Sequence, residues 1–245
     1  MNKITFWVLL PYFIALFNLR VSAQLNDTTL KQNYDVQIGS VYLDPFESNY
    51  PLYNGSQIFP YAIRITNGFR NFLTPGLLPA TLTYDGKTFK NIMSYYDLLE
   101  GNLIIRHFDK SNFVRLHADR VDRFTISEHT FIRLKPDSTN TNISAGFYDL
   151  LHDGKLKFLA KRWKTLEEKA TGTSLERIII EHTKYYLQQG QVYYEIDGKS
   201  DLLKVLKPHN KLVAKFIKSQ KLNFTKKSKE ASILSTVRYY DQAVK

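Results

Sequence analysis

Apolar and polar residues alternate in short stretches from about residue 36 to residue 197, and turn signals separate these stretches. The clearest signals are Asp-Gly pairs at 85–86, 153–154 and 197–198, with further glycine-containing turns at 100–102 and 188–190. Alternation with period two is typical of half-buried strands, and Asp-Gly favours the tight turn that matches strand twist. The pattern predicts about ten short strands joined by local turns.

The residues around the turns indicate which strands pair. Thr81–Tyr84 and Lys87–Met93 flank the first Asp-Gly pair, and Phe147–Leu151 and Leu156–Trp163 flank the second. Strands joined in this way form an antiparallel meander, so we expect a mainly β fold, either a twisted sheet or an open barrel. Residues 164–174 are predicted to form a short helix or a loop, and residues 138–144 a longer surface loop.

The apolar period changes from two to helical after Ser200. Pro208 ends the first helical stretch, and Ser228 is a reasonable N-cap for the last one. We therefore expect an antiparallel β domain at 24–199 and a short α-helical segment at 200–245 that docks on it. The apolar positions of the three stretches are Leu202, Leu203 and Leu206; Leu212, Val213, Phe216 and Ile217; and Ile233, Leu234, Val237 and Tyr240.

The first 23 residues have the features of a secretory signal peptide. Lys3 supplies a positive start, Ile4–Leu19 is an apolar run, and small residues precede a cleavage site between Ala23 and Gln24. No later stretch reaches the roughly 18 uninterrupted apolar residues of a membrane-spanning helix. The expectation is an exported chain with no transmembrane helix after signal removal.

The chain contains no cysteine. This excludes a disulfide scaffold, a cysteine-ligated metal, a cysteine nucleophile and a lipid anchor on an N-terminal cysteine. An exported domain without disulfides fits a bacterial envelope better than a eukaryotic extracellular setting. We therefore expect the periplasm or the cell surface of a Gram-negative-type bacterium.

Positive charge is concentrated near the C-terminus. The net charge of the whole chain is +11, and residues 199–229 alone contain ten lysines, one acid and no arginine. Lysines on amphipathic helices attract polyanions, whereas readers of nucleic acid rely on arginine. The sequence predicts contact with an anionic envelope surface or another envelope protein, and no nucleic acid. The candidate anion-binding residues are Lys204, Lys207, Lys211, Lys215, Lys218, Lys221, Lys226, Lys227 and Lys229.

Signatures of catalysis are weak. The six histidines include no pair at the i, i+4 spacing of a metal-binding helix, and no serine lies in a glycine-flanked nucleophile turn. Glu128, Asp149 and Glu181 are candidate carboxylates for hydrolysis, but nothing in their spacing selects them. The abundant tyrosines and Trp163 are typical of strands, and this reading is favoured over the alternative that exposed rings bind sugars. The sequence predicts no cofactor and no metal, and it leaves a site assembled from dispersed residues open.

Several turn-containing motifs resemble an uncharacterised exported protein family of Bacteroidota-type bacteria, over nearly the whole chain after residue 23. The resemblance implies an exported setting and no assigned activity or site residues. The matching segments are Pro51–Gly55, Tyr84–Ile92, Tyr95–Leu103, Gly146–Gly154 and Tyr239–Asp241.

Together these features predict a non-catalytic envelope protein that acts as a binding or scaffold module. Three alternatives stay open: a periplasmic carrier of an apolar ligand in a curved sheet, an outer-membrane β-barrel, and a hydrolase with a dispersed site.

Overall fold

A computed structural model of the chain describes residues 51–59, 63–135, 142–172 and 174–244. The predicted signal peptide, the predicted cleavage site between Ala23 and Gln24, and most of the loop predicted at 138–144 lie outside these residues. The strands are β1 (Ser56–Ile58), β2 (Leu78–Tyr84), β3 (Lys87–Asp97), β4 (Asn102–Arg106), β5 (Phe113–Arg115), β6 (Val121–Ile126), β7 (His129–Leu134), β8 (Gly146–Asp153), β9 (Leu156–Thr171), β10 (Ser174–Gln189) and β11 (Val192–Glu195).

The fold is mainly β, as predicted. One antiparallel sheet contains the strands in the order β1-β5-β4-β3-β2-β6-β7-β8-β9-β10-β11. Two meanders, β2 to β5 and β6 to β11, meet where β6 pairs with β2, so the link from β5 to β6 passes back across the first meander. In the described part of the chain, β1 and β11 are the ends of this sheet, which does not close on itself.

The hairpins at the first two Asp-Gly pairs are confirmed. Tyr84 pairs with Lys87 across the first turn, whose Asp85 and Gly86 have φ of 49° and 72°. Positive φ at both central residues is the geometry expected of an Asp-Gly hairpin turn. β8 and β9 pair around the second turn, but Asp153 pairs with Lys157 and neither Asp153 nor Gly154 has a positive φ, so the predicted tight-turn geometry is absent there.

Two local predictions are wrong. Residues 164–174 are not a helix or a loop: β9 runs to Thr171 and β10 starts at Ser174. The third Asp-Gly pair does not make a hairpin, because Gly198 is extended and stands at the N-cap of a helix. The exposed end of the β9–β10 hairpin shows no apolar alternation, since it packs no face against a core.

The larger core is formed by buried side chains of strands β2 to β8. Its centre is aromatic: the rings of Phe124 and Phe131 stack at 4.9 Å, and Tyr96 and Phe147 meet Phe124 edge-on. All four side chains are buried. Interlocking rings of this kind contribute both buried apolar area and favourable edge-to-face contacts.

Three helices cover the other part of the same sheet face: α1 (Lys199–Val205), α2 (Asn210–Ser219) and α3 (Lys229–Ala243). They bury apolar stripes against Phe158 of β9 and Leu187 of β10, and so form a second core. Leu202, Val213 and Val237 of the predicted stripes are fully buried, whereas Leu212, also predicted for the stripe of the second helix, is exposed. No helix of the described residues is both long and apolar enough to span a membrane.

Ser228 stands at the N-cap position of α3 but does not cap the helix with its side chain. Its hydroxyl donates instead to the carbonyl of Asn223, at 2.7 Å. Ser232 Oγ donates to the same carbonyl at 2.6 Å. These two bonds fix the turn before α3, and so determine where the first turn of the helix meets the sheet.

Candidate functional site

A cleft of about 350 Å³ lies on the helix-covered face of the sheet, at the boundary between the two cores. Strand β9 supplies its floor, the segment around residues 69–73 supplies one wall, and the first turn of α3 supplies the other. The side chains and backbone that line it belong to Phe69, Phe72, Leu73, Leu98, His129, Arg162, Trp163, Lys164, Glu181, His182, Thr183 and Glu230. We call it the edge cleft.

Arg162 and Lys164 of β9 both lie at the floor of the cleft. They are two residues apart in a strand and therefore point to the same face. The Lys164 side chain is only 2 % exposed. Its ammonium donates to the carbonyls of Phe69 and Asn71 at 2.9 and 2.8 Å, and pairs with Glu181 at 2.7 Å. Lys164 therefore ties the wall segment to the sheet.

Asp149 joins the floor to His129 and Arg162. Its Oδ2 atom lies 2.7 Å from His129 Nδ1 and accepts a hydrogen bond from Arg162 Nε at 2.8 Å. Arg162 also pairs with Glu230 of α3 at 2.9 Å. The side chain of Asp149 is 1 % exposed, so these partners compensate a buried charge. The His129 Nε2 atom has no hydrogen-bond partner among the described residues.

Tyr185 of β10 lies beside this network. Burial and, to a smaller extent, the nearby Glu230 carboxylate together raise the pKa of its phenol to about 12. The phenol therefore stays a neutral donor at physiological pH. It holds Glu230 toward the sheet, next to Arg162.

The chain just before the wall at residues 69–73 pairs with β10 only briefly. Asn67 N donates to Arg177 O, and Ile179 N donates to Asn67 O, which forms a short parallel bridge. The chain then turns away, and β11 resumes the pairing near Tyr185, whose carbonyl accepts from Ile196 N. Between these two contacts a stretch of β10 has no neighbouring strand among the described residues.

This open stretch directs backbone groups toward solvent. Backbone groups alternate in direction along a strand, so Glu181 and Thr183 point theirs to the same side as Ile179 and Tyr185. Both residues are exposed, and both line the edge cleft. The cleft and the open strand edge therefore form one continuous surface.

Two of the three carboxylates that the sequence offered as candidates, Asp149 and Glu181, belong to this site. Glu128 lies in the exposed turn between β6 and β7. Of the histidines, His129 and His182 line the cleft. In the part of the chain that the structure describes, no group of three or more His, Asp or Glu side chains is placed to hold a metal ion.

The predicted anion-binding lysines lie elsewhere, on and between the helices. All of them except Lys229 are exposed. Lys204 pairs with Asp201 at 3.1 Å and Lys229 pairs with Asp197 at 2.6 Å. The others are Lys207, Lys211, Lys215, Lys218, Lys221, Lys226 and Lys227, and they form no ion pair with a described residue. None of them lines the edge cleft.

The sequence analysis missed Arg162, Lys164 and Glu230. The sequence did contain a sign of the first two, since charged residues recur at alternate positions within an otherwise strand-like stretch.

Comparisons of the chain with family models, with curated proteins and with solved structures find no match.

Proposed function

We propose that this chain is an exported binding module of the bacterial envelope that takes up an extended peptide segment of another envelope protein. The peptide adds as a strand to the open stretch of β10 and places one side chain in the edge cleft. The observation that carries this proposal is the coincidence of unpaired strand edge and cleft at Glu181 and Thr183.

The chemistry of the site suits a peptide. Outward backbone groups of β10 supply the ladder that gives affinity in strand addition, and a flanking pocket supplies selectivity. Phe72 and Leu73 offer apolar contact in the pocket, while Arg162 and Glu230 offer charge of both signs. A polar or mixed side chain fits this lining better than a wholly apolar ligand.

Substitutions at Thr183 test the strand addition. Proline at this position removes an outward N–H and no bond to β9, so the sheet tolerates it. A library of dodecapeptides displayed on phage should yield binders to the wild-type chain. Thr183→Pro should weaken their binding at least about tenfold, while Thr183→Val, which keeps the N–H, should retain it.

Selected peptides that bind the Thr183→Pro variant as well as the wild type would refute the proposal. A concentration-dependent dimer that Thr183→Pro abolishes would identify a second copy of the chain as the occupant instead. Equal melting temperatures of the two Thr183 variants are the control for folding.

The envelope setting rests on the N-terminal sequence. Expression of the full chain in a Gram-negative host, followed by osmotic shock and mass spectrometry, tests it. A released chain that begins at Gln24 is the expected result. A chain that stays in the cytoplasm and begins at residue 1 would contradict export.

A hydrolase is the second candidate, because His129 and Asp149 meet within hydrogen-bond distance beside a cleft. In that function His129 Nε2 acts as the general base toward a bound water, and Asp149 orients the ring. Against it, Arg162 binds the same Asp149 oxygen, so this carboxylate is not dedicated to orienting the histidine.

A panel of p-nitrophenyl esters and glycosides separates the two candidates. In a hydrolase, His129→Gln lowers the turnover by about a hundredfold or more. His152→Gln, which removes a histidine that also pairs with an aspartate but lies outside the cleft, leaves it unchanged. No turnover by the wild-type chain ends the hydrolase candidate.

A further inference from the structure

A second cleft, of about 480 Å³, lies on the opposite face of the sheet. Its lining includes Lys161 and Trp163 of β9, Tyr186 of β10 and residues 142–144 of the loop before β8. The exposed pair Lys184–Glu195, at 3.0 Å, lines it as well. Because Lys161 and Trp163 alternate with Arg162 and Lys164, one strand serves both clefts. We call this one the outer cleft.

Lys161 enters the outer cleft without a carboxylate partner among the described residues. Its ammonium lies 3.4 Å from the carbonyl of Ala145 and 4.7 Å from the centre of the Tyr148 ring. Gly146 makes room for it, since a Cβ there would overlap Lys161 Nζ. Both contacts are weak for a half-buried ammonium.

The contrast with other cations is sharp. Every other buried or half-buried lysine or arginine that the structure describes, except Arg133, forms an ion pair with a carboxylate. Burial, with a smaller effect from the charge of Arg133, lowers the pKa of Lys161 to about 8. Arg133 is paired in register with Phe147 and does not line the outer cleft, so Lys161 is the uncompensated cation there, and it favours a bound anion.

The other residues that line the outer cleft indicate which class of anion it binds. Trp163 and Tyr186 present aromatic rings, and residues Asn142 and Ser144 present an amide and a hydroxyl. Aromatic rings contact the apolar faces of sugar rings, while amides and hydroxyls bind their hydroxyl groups. The volume of the cleft holds a single sugar ring.

We propose that the outer cleft binds a carboxylated sugar, such as a uronic acid, with the carboxylate on Lys161 and the ring against Trp163 and Tyr186. Trp163 lines both clefts, but Lys161 lines the outer cleft and not the edge cleft, so substitutions at Lys161 test this proposal separately from the peptide site.

Fluorescence of Trp163 reports on this cleft directly. The chain has two tryptophans, Trp7 and Trp163, so Trp163 is the sole emitter in a full chain that carries Trp7→Phe. Titration with glucuronate at about pH 7 should change the emission with a Kd of about 1 mM. Glucose, which lacks the carboxylate, and acetate, which lacks the ring, should bind at least about tenfold more weakly.

Substitutions at Lys161, together with the dependence of binding on pH, test whether the Lys161 ammonium is the group that binds the carboxylate. Lys161→Met should abolish binding, while Lys169→Met, which removes an exposed lysine of the same strand outside the cleft, should retain it. Binding to the wild-type chain should weaken at least about tenfold between pH 7 and about pH 9.5 as the Lys161 amine loses its proton. Lys161→Arg should bind equally at both values.

The other charged or titratable groups near Lys161 include Arg133, Lys184, Glu195 and Tyr186. Burial raises the pKa of Tyr186 to about 12, above the tested range. The Lys161→Arg variant separates the effect of the Lys161 amine from effects of these groups. Asp137, the one acid in residues 136–141, is tested as an internal occupant by Asp137→Asn.

Four results would overturn the proposal. They are the absence of any response to glucuronate, an equal response to glucose, binding of phosphate or acetate as tight as that of glucuronate, and binding that appears only in the Asp137→Asn variant. A Lys161→Met variant with an unchanged melting temperature excludes unfolding as the cause of lost binding.

Discussion

His152 Nε2 lies 2.7 Å from Asp241 Oδ2, and this contact joins β8 to the last turn of α3. Both side chains are mostly buried, at 19 % and 12 % exposed. The backbone at Gly154 approaches the same contact so closely that a Cβ there would overlap Asp241 Oδ2. The C-terminal helix is therefore fastened at its end as well as along its apolar stripe.

We expect Asp241→Ala and Gly154→Ala each to lower the free energy of unfolding by about 1–3 kcal/mol, because both break this hydrogen bond. The double variant should lose less than the sum of the two, since they remove the same contact. Urea unfolding measures all three. Gly76→Ala, where a Cβ meets only Thr74 Oγ1 at 3.9 Å, is the control and should be nearly neutral.

Lys164→Met should destabilise the chain by at least about 2 kcal/mol, because the carbonyls of Phe69 and Asn71 lose their donor. Lys184→Met removes an ion pair whose side chains are about half exposed, and should cost at most about 1 kcal/mol. Equal midpoints of chemical unfolding for the two variants would contradict the role assigned to Lys164.

The pKa values of Tyr185 and Tyr186 test whether a different neighbouring carboxylate raises each of them. Glu230→Gln should lower the pKa of Tyr185 from about 12 and leave Tyr186 unchanged, while Glu195→Gln should do the reverse. The chemical shift of the phenol ζ-carbon measures both. Movement of both tyrosines in either variant would contradict the local origin of the shifts.

These tyrosines also affect stability at alkaline pH. A pKa raised on folding favours the neutral phenol in the folded state, so the contribution is complete below the unfolded value of about 10. It is lost as the pH rises from about 10 to about 12. The Glu230→Gln variant should lose its Tyr185 contribution over a narrower pH range, which denaturant midpoints at several pH values detect.

The lysines of α2 should bring the chain to anionic membranes. Lys211, Lys215 and Lys218 share one side of the helix by their spacing, and all three are exposed. Replacing them with glutamine should reduce cosedimentation with phosphatidylglycerol vesicles, and added salt should reduce binding of the wild type.

The matched control for the vesicle experiment replaces Lys87, Lys90 and Lys110, which are exposed on the sheet, and changes the net charge by the same amount. Equal losses in the two triple variants would mean that net charge alone drives binding. Salt-independent binding would contradict an electrostatic surface.

The strands and helices were predictable because their causes are local. An Asp-Gly turn between alternating residues determines a hairpin, and the spacing of Leu202 and Leu206 determines a helical stripe. A local prediction was wrong where the same residue type occurs in two kinds of structure. Gly198 was predicted to lie in a hairpin turn, but it stands at the N-cap of a helix.

The edge cleft was not predictable, since its contacts join residues far apart in the chain. Lys164 reaches a carbonyl 95 residues away, and Arg162 reaches a carboxylate 68 residues away. Sequence spacing carries no information on such pairs. The charged residues of β9 also hid the part of the strand after Trp163. They lie on both faces, so this part lacks the alternation of apolar and polar residues from which a strand is predicted.

The alternation along β9 limits how this chain can change in evolution. An insertion or deletion of one residue between Lys161 and Lys164 would move each following side chain to the opposite face, and so exchange the linings of the two clefts. The same change at Gly172, at the end of the β9–β10 hairpin, meets only solvent. Homologous chains should therefore differ in length at that hairpin tip and keep the same length through the middle of β9.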